Sequence, residues 1–460
     1  MSMSKLARGW ADLPRDLLES VLARLPVPDL VRFPAVCTAW QSVHAAAAAR
    51  LRQATPSSPW LMLPFNPTAR AGGVAKLSVA RFLSLAEGRV YVIRQPAPAA
   101  RDRLCVGSSA DGWLVTADAR SELSLLNPIT GAQLRLPPAA TLPFVDARRG
   151  ADGRVESYGL RSCFADGGGC GEEALVPTET LGPDRLRYEV YEKAIVVSAP
   201  RRVPPCSCWV GYAVLLICQP LGRLAVARAG DAEWALLDDA DAPARCWVDA
   251  VRASFSGADG SRRDHQPVYT VDAAGRVDAW DTDAATTPSR AVAPPCGCSA
   301  RSCAMSAACR KYLVELSPGR LLQVHRLRET AHARYAWEPR PEHMEYTTTG
   351  VELFEWTAAT GLWARADGRV LGGRALYLGK SASLCVPVDV DDAGWCPGVR
   401  GGCVYFTDDG PWSHDRCHEV TPDVGVLDLD DGSYRPPRGA ARDLLWKWPP
   451  PVWVFPSLAG

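Results

Sequence analysis

A mainly β chain with a small α unit at its N-terminus is the fold the sequence predicts: three short helices, then a β-propeller of about six blades. Three observations predict it. Residues 10–52 carry leucines and valines at helical spacing between prolines. From about Trp60 the pattern changes to strand, tight turn, strand, with apolar residues alternating and Gly in the turn. The turn glycines at 230, 275 and 319 recur at steps of 45 and 44, a period in the forties that marks a propeller. A series of two-sheet β-sandwiches is the alternative such strands allow.

The N-terminal unit comes first. Pro14 suits a first helical position, where its missing N–H costs nothing. Asp16 and Glu19 lie in the early turns and Arg24 in the last, matching the helix dipole. Leu17, Leu18, Val21, Leu22 and Leu25 fall on one face, and Pro26 ends the helix. Pro28 and Asp29 open a second helix with Leu30, Val31 and Phe33. Thr38 with Gln41 reads as the capping box of a third, striped by Trp40, Val43, Ala47 and Leu51. A unit this small cannot hide so much apolar surface within itself. Each exposed Leu forgoes roughly 1.5–3 kcal/mol, so the surplus calls for a partner, either another protein or the rest of this chain.

The stretch "LPRDLLESVLARLPVPDLVRFPAVCTAW", Leu13 to Trp40, resembles an F-box: a leading Leu-Pro, a Leu-Leu-x-x-Val-Leu helix, a second Leu-Pro and a closing Val-Cys-x-x-Trp. The resemblance covers residues 10 to about 50. It implies docking on the Skp adaptor of cullin–RING ubiquitin ligases. The residues it assigns to that contact are Leu13, Pro14, Leu17, Leu18, Val21, Leu22, Leu25, Pro26, Leu30, Val36, Cys37 and Trp40. Pro34 departs from the family pattern. A proline inside a helix removes a hydrogen bond, so the second helix should be short.

The β part spans 57–460. Its strand pairs include "RFLSLAEGRVYVIRQP", "GRLAVARAGDAEWALLDD", "PVYTVDAAGRVDAWD" and "YLVELSPGRLLQVHRL". The pair around Gly361 is assigned to the blade of the pair around Gly319. Residues 146–186 and 386–422 read as irregular insertions. The ends echo each other, "SPWLMLPF" at 58–65 and "PVWVFPSL" at 451–458. A propeller must join its first and last blades, so these segments are expected to pair, with the prolines favouring an edge at the outside of a blade. "GWLVTADARSELSLLNPITGAQLRLPP", "LFEWTAATGLWARADGRVLGGRALYLGKSAS" and "GGCVYFTDD" resemble the plant F-box proteins with a DUF-295, kelch-like C-terminal domain. That resemblance implies the same two-part architecture.

Composition sets limits on function. The chain has 460 residues, 47% hydrophobic and 22% charged, with 51 basic and 51 acidic side chains. There is no bulk field to attract nucleic acid or a membrane. The longest apolar run, "YAVLLIC" from Tyr212 to Cys218, is too short to span a bilayer. "MSMSKLARGW" holds no signal core, so cytosol or nucleus is expected. There the sixteen cysteines should be mostly buried and unbridged.

Motifs for chemistry are weak. Cys296, Cys298, Cys303 and Cys309 could hold zinc but lack paired C-x-x-C knuckles. His414, Cys417 and His418, with Cys396 and Cys403 upstream, lack an element to fix them as ligands. No metal or cofactor site is therefore assigned. "GADGS" and "GGGCG" lack the Lys-Ser/Thr ending of a phosphate loop, and neither G-x-S-x-G nor H-E-x-x-H occurs. The expected function is a non-catalytic substrate receptor of a ubiquitin ligase, with helices on the adaptor and propeller on a target protein. The alternatives are a propeller enzyme or small-ligand binder whose helices merely pack on the disc, and an F-box scaffold without a degraded target.

Overall fold

The computed structural model describes residues 10, 13–25, 27–53, 58–64, 79–98, 102–161, 177–203, 208–219, 222–237, 245–253, 267–282, 290–295, 309–332, 344–357, 359–388, 398–409, 422–440 and 451–458. Three helices open the chain: α1 (Arg15–Leu22), α2 (Val27–Arg32) and α3 (Thr38–Gln53). Pro14 stands one place earlier than expected, as the N-cap residue whose carbonyl accepts from Leu18 N at 3.1 Å. Arg24 lies past the end of α1 and donates to Ser20 O at 2.7 Å, covering a carbonyl the helix cannot satisfy itself. Pro34 has the expected effect: α2 stops at Arg32 and a 3₁₀ turn, Phe33–Ala35, takes over.

After residue 58 the described residues form mainly antiparallel sheets. The strand Trp60–Leu63 pairs on one side with Val79–Ser84, which in turn pairs with Arg89–Arg94. On its other side it pairs with Val452–Val454, the last strand of the chain, Trp60 facing Val454 and Leu61 facing Trp453. The two ends therefore meet, as their echo predicts. The edge differs from expectation: Val452–Val454 lies at the inner edge, against Leu104–Ser108, not at the outside of the blade. Its side chains are fully buried there, and burying Trp453 between two sheets outweighs any preference of the flanking prolines for solvent.

The inner strands contact one another in sequence: Val452–Val454, Leu104–Ser108, Tyr191–Ser198, Trp247–Arg252, Cys309–Ser317 and Leu384–Pro387. Most run beside a hairpin or meander that carries the sheet outward. Leu104–Ser108 and Tyr191–Ser198 approach closely enough to pair in parallel, Ala194 opposite Gly107. A Cβ at Gly107 would stand 1.9 Å from the carbonyl oxygen of Ala194, so only glycine permits that pairing. The pairs around Gly319 and Gly361 share one sheet, as assigned.

Strands inside the blade sheets face apolar cores on both sides. Along Ala213–Cys218 the residues Val214, Leu216 and Cys218 enter one core and Ala213, Leu215 and Ile217 the next. This is why "AVLLIC" is continuously apolar instead of alternating. Trp60 and Met62 likewise face one core and Leu61 and Leu63 another. Sheets stacked face to face in this way form the β-propeller.

The expected insertion at 146–186 holds regular structure. Val145–Arg149, Val155–Arg161 and Pro177–Leu181 form a separate three-stranded sheet whose Tyr158, Leu160 and Leu181 join the neighbouring core. Within 386–422, Cys403–Phe406 is a fully buried strand. Among the described cysteines Cys105, Cys218, Cys309 and Cys403 are buried and in no disulfide, as expected of most of them; Cys208 is disulfide-bonded. No described helix is long and apolar enough to cross a membrane.

Candidate functional site

The N-terminal helices divide their apolar residues between two faces. Leu18 and Leu22, one turn apart on α1, point inward and join Leu30, Phe33, Val43 and Ala47 in a closed core. Leu13, Leu25 and Trp40 pack partly buried on its margin. Trp40 stacks on Phe33 at 4.4 Å between ring centroids, and its Nε1 donates to Trp10 O at 3.1 Å, so it ties the unit together. Leu17 and Val21, also one turn apart, point the other way. Leu17 is 50% exposed and Val36, after the 3₁₀ turn, 56%; Val21, Val31 and Trp10 are exposed as well. Half of the large apolar side chains exposed among the described residues lie in these first 36 positions, a concentration that marks an interaction surface.

The twelve residues assigned to adaptor contact thus separate. Leu17, Val21, Val36 and Pro14 are exposed. Cys37 is half-buried. Leu18, Leu22 and Leu30 are buried in the unit's own core, because i, i+4 neighbours on an eight-residue helix turn inward to pack against α3. They support the exposed face of the unit from beneath. Pro26 lies outside the described residues. Val31, which the motif did not single out, joins the exposed set.

The unit is anchored to the disc. Leu458 packs on both the helical core and the core of the closing sheet, and Val27 packs on the latter, as Tyr91 and Ile93 do. The segment after the last strand is itself held: Asn127 Nδ2 donates to Ser457 O at 3.1 Å.

A second concentration of chemistry lies on the propeller axis, and the sequence reading missed it. Lys193 Nζ is 2.7 Å from Asp249 Oδ1, with both side chains fully buried. The ammonium also donates to Gly379 O (3.0 Å) and Ser383 Oγ (3.1 Å), which uses its three protons. Asp249 accepts further from Ala250 N, Leu313 N and Ser383 Oγ at 2.8, 3.0 and 2.6 Å. Beside it, Arg310 pairs with Glu192 and, at 3.1 Å, with Asp409. Arg326 reaches Asp423 at 2.6 Å and Asp409 at 3.6 Å, and Tyr312 OH donates to Asp409 at 2.8 Å. Burial alone would raise the Glu192 and Asp409 carboxyls. Arg310 and Lys380 outweigh it at Glu192, and Arg310, Arg326 and Arg328 at Asp409, so both are held below their ordinary values. The loop 379–383 therefore runs across the axis, its carbonyls and hydroxyls tied to inner strands of neighbouring sheets. Charges here pair with one another. The signal was present in "YEKAIVV" and "CRKYLVEL", where a charged pair directly precedes an apolar strand.

Of the proposed zinc ligands, Cys296, Cys298, Cys303, Cys396, His414, Cys417 and His418 lie outside the described residues. Cys309 and Cys403 are buried strand residues. Among the described residues no group of three His, Cys, Asp or Glu is placed to hold a metal.

Comparison with known proteins bears on this two-part architecture. The F-box domain family matches residues 10–43 and the KIB1-4 beta-propeller family residues 82–428. The DUF-295 label and a plant origin rest on the resemblance of motifs alone. No curated protein matches the chain. Among solved structures, TolB from Acinetobacter baumannii is 9% identical over 90% of this chain and 72% of its own, with a TM-score of 0.32. Sqt1 from Saccharomyces cerevisiae is 11% identical over 62% of this chain and 79% of its own, at 0.27.

Proposed function

Because the chain belongs to the KIB1-4 β-propeller family and carries an F-box ahead of the propeller, we propose that it is the substrate-receptor subunit of an SCF-type ubiquitin ligase. The helices dock the Skp adaptor and through it the cullin–RING machinery, and the propeller holds a target protein in cytosol or nucleus. No residue of this chain performs covalent chemistry. It supplies proximity, raising the effective concentration of target beside a ubiquitin donor. The observation that carries the reading is the outward set Leu17, Val21, Val31 and Val36 on a unit whose own core is already filled. The rigid attachment through Leu458 and Val27 supports it, since a receptor must fix the distance between adaptor and target. The paired charges that fill the axis support a binding disc over a catalytic channel.

The test is co-purification of a Skp adaptor with the full chain and with Leu17→Asp/Val21→Asp. The variant should lose the adaptor, because a charge buried at an apolar contact costs several kcal/mol, while the melting transition of the β part stays in place. Undiminished adaptor capture by the folded variant overturns the reading.

A further inference from the structure

The strand Arg89–Arg94 departs from its counterparts. At the outer ends of the other blade sheets the strands are Gln133–Arg135, Ala235–Leu236, Arg290–Ala293, Trp363–Ala366 and Tyr434–Arg435, two to four residues each. Short edges of that kind protect a sheet from unwanted pairing. Arg89–Arg94 has six residues, paired along its whole length with Val79–Ser84 and, among the described residues, with nothing on its far side. Its sequence, RVYVIR, is β-branched or aromatic between two arginines. Tyr91 and Ile93 turn in, onto the core that holds Trp60 and Met62. Val90 and Val92 turn out, 38% and 63% exposed, so no described residue covers that face. Arg89 and Arg94 are exposed, and neither is paired with a carboxylate among the described residues.

We propose that this edge is a docking strand for an extended, acidic peptide segment of a partner protein, which adds to the sheet as a fifth strand. Main-chain hydrogen bonds supply the affinity of such additions, and alternate side chains the specificity. Charge selects the occupant. In an antiparallel addition the residues opposite Arg89 and Arg94 lie five apart, and acidic residues there answer both arginines. A second copy of this chain added antiparallel in the same register would set Arg89 opposite Arg94 at both ends, and like charges directly opposite oppose pairing. The edge also lies near the helical unit, since Val27 packs on the same core as Tyr91 and Ile93. A segment bound here lies next to the proposed adaptor-docking helices. That the segment belongs to a degraded target rests on the receptor reading above; the edge as a peptide site does not.

The probe is a labelled peptide, Glu-Thr-Val-Thr-Val-Glu, titrated by fluorescence anisotropy against the full chain without adaptor. Saturable binding is expected, weakened about tenfold or more in Arg89→Glu/Arg94→Glu. That variant should instead bind Lys-Thr-Val-Thr-Val-Lys, an exchange that a merely structural role for the arginines would not produce. N-methylation of the peptide amides on the edge-facing side should abolish binding with every side chain intact. The proposal is overturned by no saturable binding at millimolar peptide, by equal binding to both proteins, or by tolerance of N-methylation at both alternate sets of amides. It is also overturned by a dimer in sedimentation that dissolves in the variant, which would make a second copy the occupant. Because no adaptor is present, these outcomes are independent of adaptor capture through Leu17 and Val21.

Discussion

Lys193 and Asp249 stand 2.7 Å apart on adjacent inner strands, both sealed from water, and Ser383 bridges them from the loop that crosses the axis. Removing one member leaves an uncompensated charge, which typically costs about 3–5 kcal/mol. Lys193→Met should therefore lower stability by roughly that amount, and Lys193→Met/Asp249→Leu should recover part of it. Denaturant unfolding of the single and double variants checks this. Equal stability of Lys193→Met and the parent would show that the pair does not hold the axis.

The two faces of α1 should respond differently to substitution. Leu18→Ala removes a buried side chain from a very small core and should cost about 2–5 kcal/mol locally, enough to unfold the unit. Leu17→Ser trims an exposed residue and should change stability by less than about 0.5 kcal/mol. Limited proteolysis of residues 10–53 separates them: rapid cleavage in the first, parental rates in the second.

Closure of the disc depends on the last strand. Trp453 is fully buried and meets Tyr377 edge to face at 5.3 Å between ring centroids. Trp453→Ala should cost roughly 3–5 kcal/mol. Deleting 449–460 exposes the whole edge of Trp60–Leu63 and should drive the protein into aggregates. A soluble 1–448 chain with the parental melting transition would contradict the pairing of Trp60 with Val454.

Acid should unfold the protein in two stages. His325 is buried against Phe354 with Nε2 2.6 Å from Gln323 Oε1, and burial, then Lys311, pushes its pKa down to about 3. Its folded value lies below the unfolded one, near 6.5. Stability should fall as pH drops from about 6.5 toward 3, by at most about 1.4 kcal/mol per unit. Glu192 and Asp409, also depressed, contribute stability that is intact above the ordinary carboxylate range near pH 4 and lost below it. His325→Gln should flatten the limb between pH 6.5 and 4.5 and leave the lower one. Denaturation midpoints across that range decide it; an unchanged upper limb would refute the role of His325.

What was legible follows from how each strand is bounded. Hairpins with a glycine turn, such as the pair Val268–Asp272 and Val277–Trp280, stood out because local sequence specifies them. Inner strands such as Leu104–Ser108, Tyr191–Ser198 and Trp247–Arg252 follow longer connections, and the last two carry Glu192, Lys193 and Asp249 among apolar residues. Buried charge masks the pattern of a core strand, and only tertiary pairing explains it. The F-box helices were visible from leucine spacing, but which leucines face inward was not. That depends on α3 lying against α1, a contact no local pattern encodes.

The pairing of Trp60 with Val454 also imposes an order in time. During synthesis the N-terminal helices and the first strand of their neighbouring sheet emerge early, whereas the strand that completes that sheet emerges on the order of tens of seconds later. A polypeptide interrupted between those moments carries the helices without Leu458 beneath them and without a closed disc. On the receptor reading proposed above, whatever part of such a fragment escapes aggregation would occupy adaptor while presenting no intact target surface, so premature termination would yield a competitor of the finished chain and not simply a loss of it.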